Sequence, residues 1–213
     1  MALPEGPPSK HPNLAEELLQ KFNDPSTFTD ILVKCEDEEF GCHRLVLSSE
    51  SSVFAAMFSH ESLAENQTRC ITITDFKAPE VKLALEMAYG KKLSSSTDTP
   101  LSLAVLTFAN KYDMERVKKE VEVEVGDRLL YTDVRIVAAV LLRADEHEAE
   151  VLRKRAFEVL VAKIDENNQK EIYTMICQKQ PGLMAEIAAA FQSRYSAAMK
   201  KCQEFSVQNV WQA

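Results

Sequence analysis

From residue 14 the apolar positions keep a helical rhythm: Leu14, Leu18 and Phe22 fall at i, i+4 and i+8, and Leu19 widens the stripe. Asn13, with Glu16 three residues on, is spaced as a capping box, and Asn23-Asp24-Pro25 ends the helix. The period then drops to two. Ile31, Val33 and Cys35 interleave with Lys34 and Glu36, which predicts a half-buried strand. The acidic run Glu36–Glu39 predicts a turn, and Phe40–Cys42 a second strand. A brief apolar run, Leu45–Leu47, breaks at Ser48–Ser52, where Ser51 is suited to cap a helix over Val53–Phe58. The polar stretch Ser59–Arg69 leads to a third strand, Cys70–Thr74.

Beyond Pro79 the pattern is helical. Val81, Leu85 and Ala88 share one face, Gly90 ends that helix, and Ser94–Pro100 is a loop. Further helices are predicted near 101–110, 114–126, 133–143, 146–163, 167–178 and 182–204. Three strands confined to the first third, then helices alone, predict an α+β fold followed by an all-helical extension. No fixed-period repeat occurs, which argues against solenoids and propellers. The organisation expected is a disordered, proline-rich leader over 1–12, a domain over 13–126, and a helical extension over 127–213.

Composition narrows the function. The 213 residues carry a net charge of -8, and the isoelectric point is near 5.2. Neutralising phosphates needs a surplus of Lys and Arg, so no nucleic-acid partner is expected, and an anionic membrane surface would repel the chain. The longest apolar runs, such as Ile136–Leu142, are too short to span a bilayer. Five cysteines without a C-x-x-C pair predict reduced thiols, hence a cytoplasmic or nuclear setting. The four histidines lack metal-ligand spacing, and there is no nucleophile elbow, P-loop or dinucleotide fingerprint. No metal, cofactor or catalytic residue is expected, and His43 is expected to be a packed histidine.

Three stretches carry a family resemblance: Phe28–Val33, Phe40–Leu47 and Ser51–Phe58. It continues through Ala109–Arg116, Ala144–Ala149 and Pro181–Glu186. Together they resemble the BTB/POZ family, from about Leu14 to about Phe191, and within it the speckle-type POZ adaptors with their three-box or BACK-like extension. The resemblance implies a non-enzymatic, dimeric adaptor that docks the N-terminal domain of cullin-3 for ubiquitin ligation. It places Leu14, Leu18 and Phe22 at a dimer interface, and Asp30 with Arg44 in a charged pocket. Leu63-Ala64-Glu65 matches the hydrophobic-x-Glu motif of cullin-3-binding members, with Phe58 and Tyr112 beside the same groove. The helix pair Asp133–Arg143 and Glu146–Ile164 matches the three-box, with Val137, Leu141, Leu152, Ala156 and Leu160 as its apolar face. The chain departs from that pattern at Ile136 and Arg143, where Asn and Leu are expected, and at Tyr89-Gly90, one residue shorter than the family's ending.

Residue by residue, plainer roles stand beside these. The first stripe can pack on its own domain, Asp30 can be a helix cap, and Phe58 and Tyr112 can be core. An alternative function is a stand-alone assembly module pairing with other BTB proteins and having no ligase role.

Overall fold

In a computed structural model, the described residues are 14–59, 68–193 and 196. The expected leader, the capping Asn13, and Leu63 and Glu65 lie outside them. The chain divides into two compact units, Met1–Glu124 and Val125–Ala213.

The first unit is built on a sheet of order β2-β1-β3. β1 (Ile31–Cys35) buries Ile31, Val33 and Cys35 and half-exposes the residues between them, as period-two patterning requires. β2 (Glu38–Cys42) runs antiparallel to it, pairing Val33 with Phe40. It begins two residues earlier than the sequence predicts. Glu36, at φ 54°, makes the reversal with Asp37, which leaves Glu38 and Glu39 free to pair with Cys35 and Lys34. β3 (Cys70–Ile73) lies parallel to β1, so the chain must cross over between them. The first helix, α1 (Leu14–Gln20), stops before Asn23, whose φ of 56° breaks the helical path. Asn23 then fastens the outer edge of β2: its N–H donates to the Gly41 carbonyl and its Oδ1 accepts from the Gly41 N–H, both 2.9 Å.

The crossover corrects another expectation. Leu45–Leu47 is part of a helix, α2 (Arg44–Glu50), which continues through the serines expected to break it. Ser48 and Ser49 turn their hydroxyls back onto the carbonyls of Leu45 and Val46 (3.1 and 2.8 Å), a bond that lets serine remain helical. The break comes at Ser51 in extended conformation, and α3 (Ser52–Ser59) follows. There Ser51 Oγ accepts the Phe54 N–H (3.0 Å), the cap predicted for it.

Three longer helices follow. In α4 (Ala78–Ala88), the Glu80 carboxylate accepts the Lys77 N–H (2.9 Å), and Val81, Leu85 and Ala88 are buried. Gly90, at φ 94°, closes α4 as the sequence predicts. Asp98 caps α5 (Thr99–Lys111) by accepting the Leu101 N–H (2.7 Å). α6 (Glu115–Arg128) runs across the division between the units.

The second unit has no strand among its described residues. A 3-10 turn, Leu129–Tyr131, leads to α7 (Val134–Glu146), α8 (Glu150–Lys163), α9 (Gln169–Lys179) and α10 (181–193). α7 runs three residues past its predicted end, because Ala144 is core rather than turn. Glu148, at φ 51°, makes the turn, and the Ala149 N–H closes it on the Ala144 carbonyl (2.8 Å). Predicted positions beyond 193, apart from residue 196, lie outside the described residues.

Candidate protein-interaction site

Five aromatic residues of the first unit are joined in one stack. Phe76 meets Phe108 edge-on at 5.1 Å, Phe108 meets Tyr112 at 4.4 Å, and Tyr112 meets Phe54 at 4.8 Å. Phe54 then stacks on Phe58 at 6.2 Å, with the planes 12° apart. These separations suit offset and edge-to-face packing. Phe54 and Phe108 are fully buried and Tyr112 nearly so, whereas Phe58 is half-exposed. The Arg44 guanidinium lies 4.8 Å over the Phe58 ring and donates to the Phe58 carbonyl (3.2 Å).

Tyr112 is held from both ends. Its carbonyl accepts the Ser51 hydroxyl, and the neighbouring Asp113 carboxylate accepts the Ser52 hydroxyl. Lys111 reaches over the Tyr112 and Phe76 rings and pairs with Asp75 (2.7 Å). Burial pushes the Tyr112 phenol above its ordinary range, against the opposing pull of Lys111, so the ring is neutral. Phe58 and Tyr112 are therefore brought to one stack, with Phe54 between them. Phe54 and Phe108, the links in that stack, stand in the sequence only as members of apolar runs.

Asp30 and Arg44, expected in a charged pocket, are brought together. Asp30 Oδ1 accepts the Arg44 backbone N–H (2.7 Å), acting as a helix cap, while the guanidinium turns to Phe58. Nearby, Phe28 is 91% exposed at φ 62°, and Leu45 is 79% exposed. A bulky side chain in the left-handed region, open to solvent, is uncommon. Neither residue stood out in the sequence, because exposure of an apolar side chain is a tertiary property.

Of the stripe expected at a dimer interface, the Leu14 side chain lies outside what is described, and Leu18 is half-exposed. Phe22 lies just after α1 and packs on its own domain, 6.3 Å from Phe40 and 5.2 Å from Tyr89. Tyr89 is buried, and burial raises its phenol far above the ordinary range. His43 locks it in place. Its N–H donates to the Tyr89 oxygen (2.7 Å), its Nε2 faces the Thr27 carbonyl (2.8 Å) and must donate, and Nδ1 accepts from the Tyr89 hydroxyl (2.8 Å). His43 is a packed histidine.

In the second unit, Val137, Leu141, Leu152, Ala156 and Leu160 are all fully buried. They form the packed apolar face expected of this helix pair and hold α7 and α8 in the core. Among the second unit's described residues the large exposed apolar side chains are Leu130, Tyr131, Ile136 and Val151. Among the described residues no group of His, Cys, Asp or Glu could hold a metal. Burial, with Asp30 adding, pushes the Cys42 thiol up to about 12, which leaves it a packing group.

A family model for the BTB/POZ domain matches residues 19–128, which is half the chain. The chain belongs to the BTB/POZ family. The chain is 29% identical over 171 residues to mouse TD and POZ domain-containing protein 4, covering 80% of this chain and 44% of that protein. Similarity to human Kelch-like protein 25 is 31% over 135 residues, covering 63% of this chain and 20% of the relative. The solved BTB domain of zebrafish PATZ1 aligns over 52% of this chain and 89% of that one, with a TM-score of 0.43 and 20% identity. The BTB/POZ chain thus spans less than half the length of either curated relative named here. The fold is α+β, a small three-stranded sheet with helices followed by a helical region.

Proposed function

We propose that this BTB/POZ chain is a non-catalytic adaptor. It pairs with a second BTB domain, its own copy or another, and docks the N-terminal domain of cullin-3 so that bound substrates receive ubiquitin. The observation that carries this reading is the Phe54–Phe58–Tyr112 stack. Its half-exposed end, Phe58, lies five residues before Leu63, in the segment that bears the hydrophobic-x-Glu motif. An anchored aromatic followed along the chain by an apolar residue and a carboxylate has the composition of an interface hot spot, a desolvated centre with a polar rim.

Co-elution of the full chain with the cullin-3 N-terminal domain tests it. A complex should form at about 10 μM of each component, and Glu65→Lys should abolish it. No complex at that concentration, with both components folded, would rule out the ligase reading. The exposed Phe28 and Leu45 support pairing under either reading, since a monomer leaves both in water. A dimer by light scattering without cullin-3 binding would favour the assembly module instead.

A further inference from the structure

The loop between α4 and α5 carries chemistry that neither the fold nor the adaptor reading uses. Ser94, Ser95, Ser96 and Thr97 are four hydroxyl side chains in succession, and Asp98 follows them. The three serines are exposed. Posts at both ends fix the loop. Leu93 is buried and its N–H donates to Glu120 (2.9 Å), while Asp98 caps α5. Between the posts, Ser94 Oγ bonds Ser96 Oγ (2.7 Å) and accepts the Ser96 N–H (3.2 Å).

We propose that this loop is a phosphoacceptor site, with Ser95 as the acceptor for an acid-directed protein kinase. Such a kinase binds its substrate extended, so a carboxylate three residues after the acceptor lies one strand repeat beyond the first following side chain, on the same side. A basic pocket there can hold it. The chain has this Ser/Thr-x-x-Asp/Glu spacing at Thr27, Ser62, Thr72 and Ser95. Ser62 lies outside the described residues. Thr27 donates its hydroxyl to the carbonyls of Lys21 and Asp24 (3.0 and 2.7 Å), and Thr72 is held within β3. Of the described candidates, Ser95 is the one exposed on a loop between two helices; drawing it out breaks the Ser94–Ser96 bonds and the Thr97 N–H bond to the Ser94 carbonyl (2.9 Å) but unpairs no strand.

In the step itself, the Ser95 oxygen attacks the γ-phosphorus of ATP, the bond to the ADP oxygen breaks, and the hydroxyl proton passes to the kinase base. The product is a dianion three residues before the α5 cap. Three residues before it in the sequence is Lys92, whose side chain is 81% exposed and pairs with Glu120 (2.9 Å). The phosphate would compete with Glu120 for that ammonium.

Incubation of the full chain with an acid-directed kinase and Mg-ATP, followed by tandem mass spectrometry, tests the proposal. Phosphate is expected on Ser95 and lost in Ser95→Ala. Asp98→Asn keeps a side-chain oxygen for the cap but removes the charge, so the initial rate at Ser95 should fall about tenfold while the melting temperature holds. Phosphate confined to other residues, or none while a control acidic peptide is fully modified, would overturn it. An Asp98→Asn protein modified as fast as the parent would overturn it too.

Discussion

The first unit counts Tyr89, Phe40, Phe54 and Phe108 among its largest fully buried side chains, whereas every buried apolar side chain of residues 125–193 is Val, Leu, Ile or Ala. The contrast follows from what each unit must fill. Helices laid over a three-stranded sheet leave deep, uneven gaps, and flat rings fill them with area and orientation at once. A helical array has shallower gaps. Ala138, Ala144, Ala149 and Ala156 are all fully buried in or beside α7 and α8, and side chains that small let helices approach closely. Polar bonds fasten both units, and ion pairs occur in each, Arg116 with Glu50 (2.9 Å) in the first among them. Ser51, Ser52 and His43 lock the aromatic unit with hydroxyl and imidazole bonds. The helical unit uses ions: Arg153 Nε donates to Asp145 (2.6 Å), its other arm donates to both oxygens of Glu186 (2.8 and 2.9 Å), and Gln180 also reaches Asp145 (2.6 Å).

The sharpest way to break the comparison is to empty each core once. Phe54→Ala removes the middle ring of the stack and is expected to cost about 3–5 kcal/mol. Leu141→Ala, between helices that can shift inward, is expected to cost about 2–3 kcal/mol. Urea unfolding measures both, and an equal or smaller loss for Phe54 would sink the distinction.

Next in size is the ionic knot. Arg153→Met should cost about 1–2 kcal/mol, a value kept low because the arginine is 31% exposed. Burial alone would raise the Asp145 carboxyl, but the hydrogen bonds from Arg153 and Gln180 outweigh it and hold the group below its ordinary value of 3.8. Its contribution is therefore present above that value and fades as the pH falls through the lowered folded one. Melting curves against pH should show an acid-side loss of stability that Asp145→Asn reduces. An unchanged acid limb in that variant would show that Asp145 is not its source.

Two glycines give smaller effects of opposite sign. Gly90→Ala forces a Cβ into φ 94° and should cost about 1–2 kcal/mol. Gly126 is helical, and an added Cβ would meet Arg155 Cγ at an ordinary 3.7 Å. Gly126→Ala should therefore stabilise by about 0.5–1 kcal/mol. Thermal denaturation of the pair reads both signs, and a lower melting temperature for Gly126→Ala would contradict the packing described.

Much of this was legible in order along the chain. Alternation at Ile31, Val33 and Cys35 marked β1, Ser51 marked the start of α3, and Gly90 marked the end of α4. These signals are local: each depends on one side chain and the backbone within four residues of it. The misreadings were local signals overruled. Ser48 and Ser49 looked like a break but bond back to their own helix, and Ala144 looked like a turn but is core. The site was less legible. Phe58 and Tyr112 could be named from the family pattern, yet the Arg44 guanidinium leaning on Phe58 was not foreseeable.

The sequence by itself determined the element order, the family, the acidic charge and the positions of the caps, because period, capping and composition act over short separations. Only the tertiary structure decided which apolar residues face water. It exposed Phe28, Leu45 and Tyr131 while burying Val137, Leu141 and Leu152. Exposure depends on what distant segments leave uncovered, and no pattern within a single helix or strand records that.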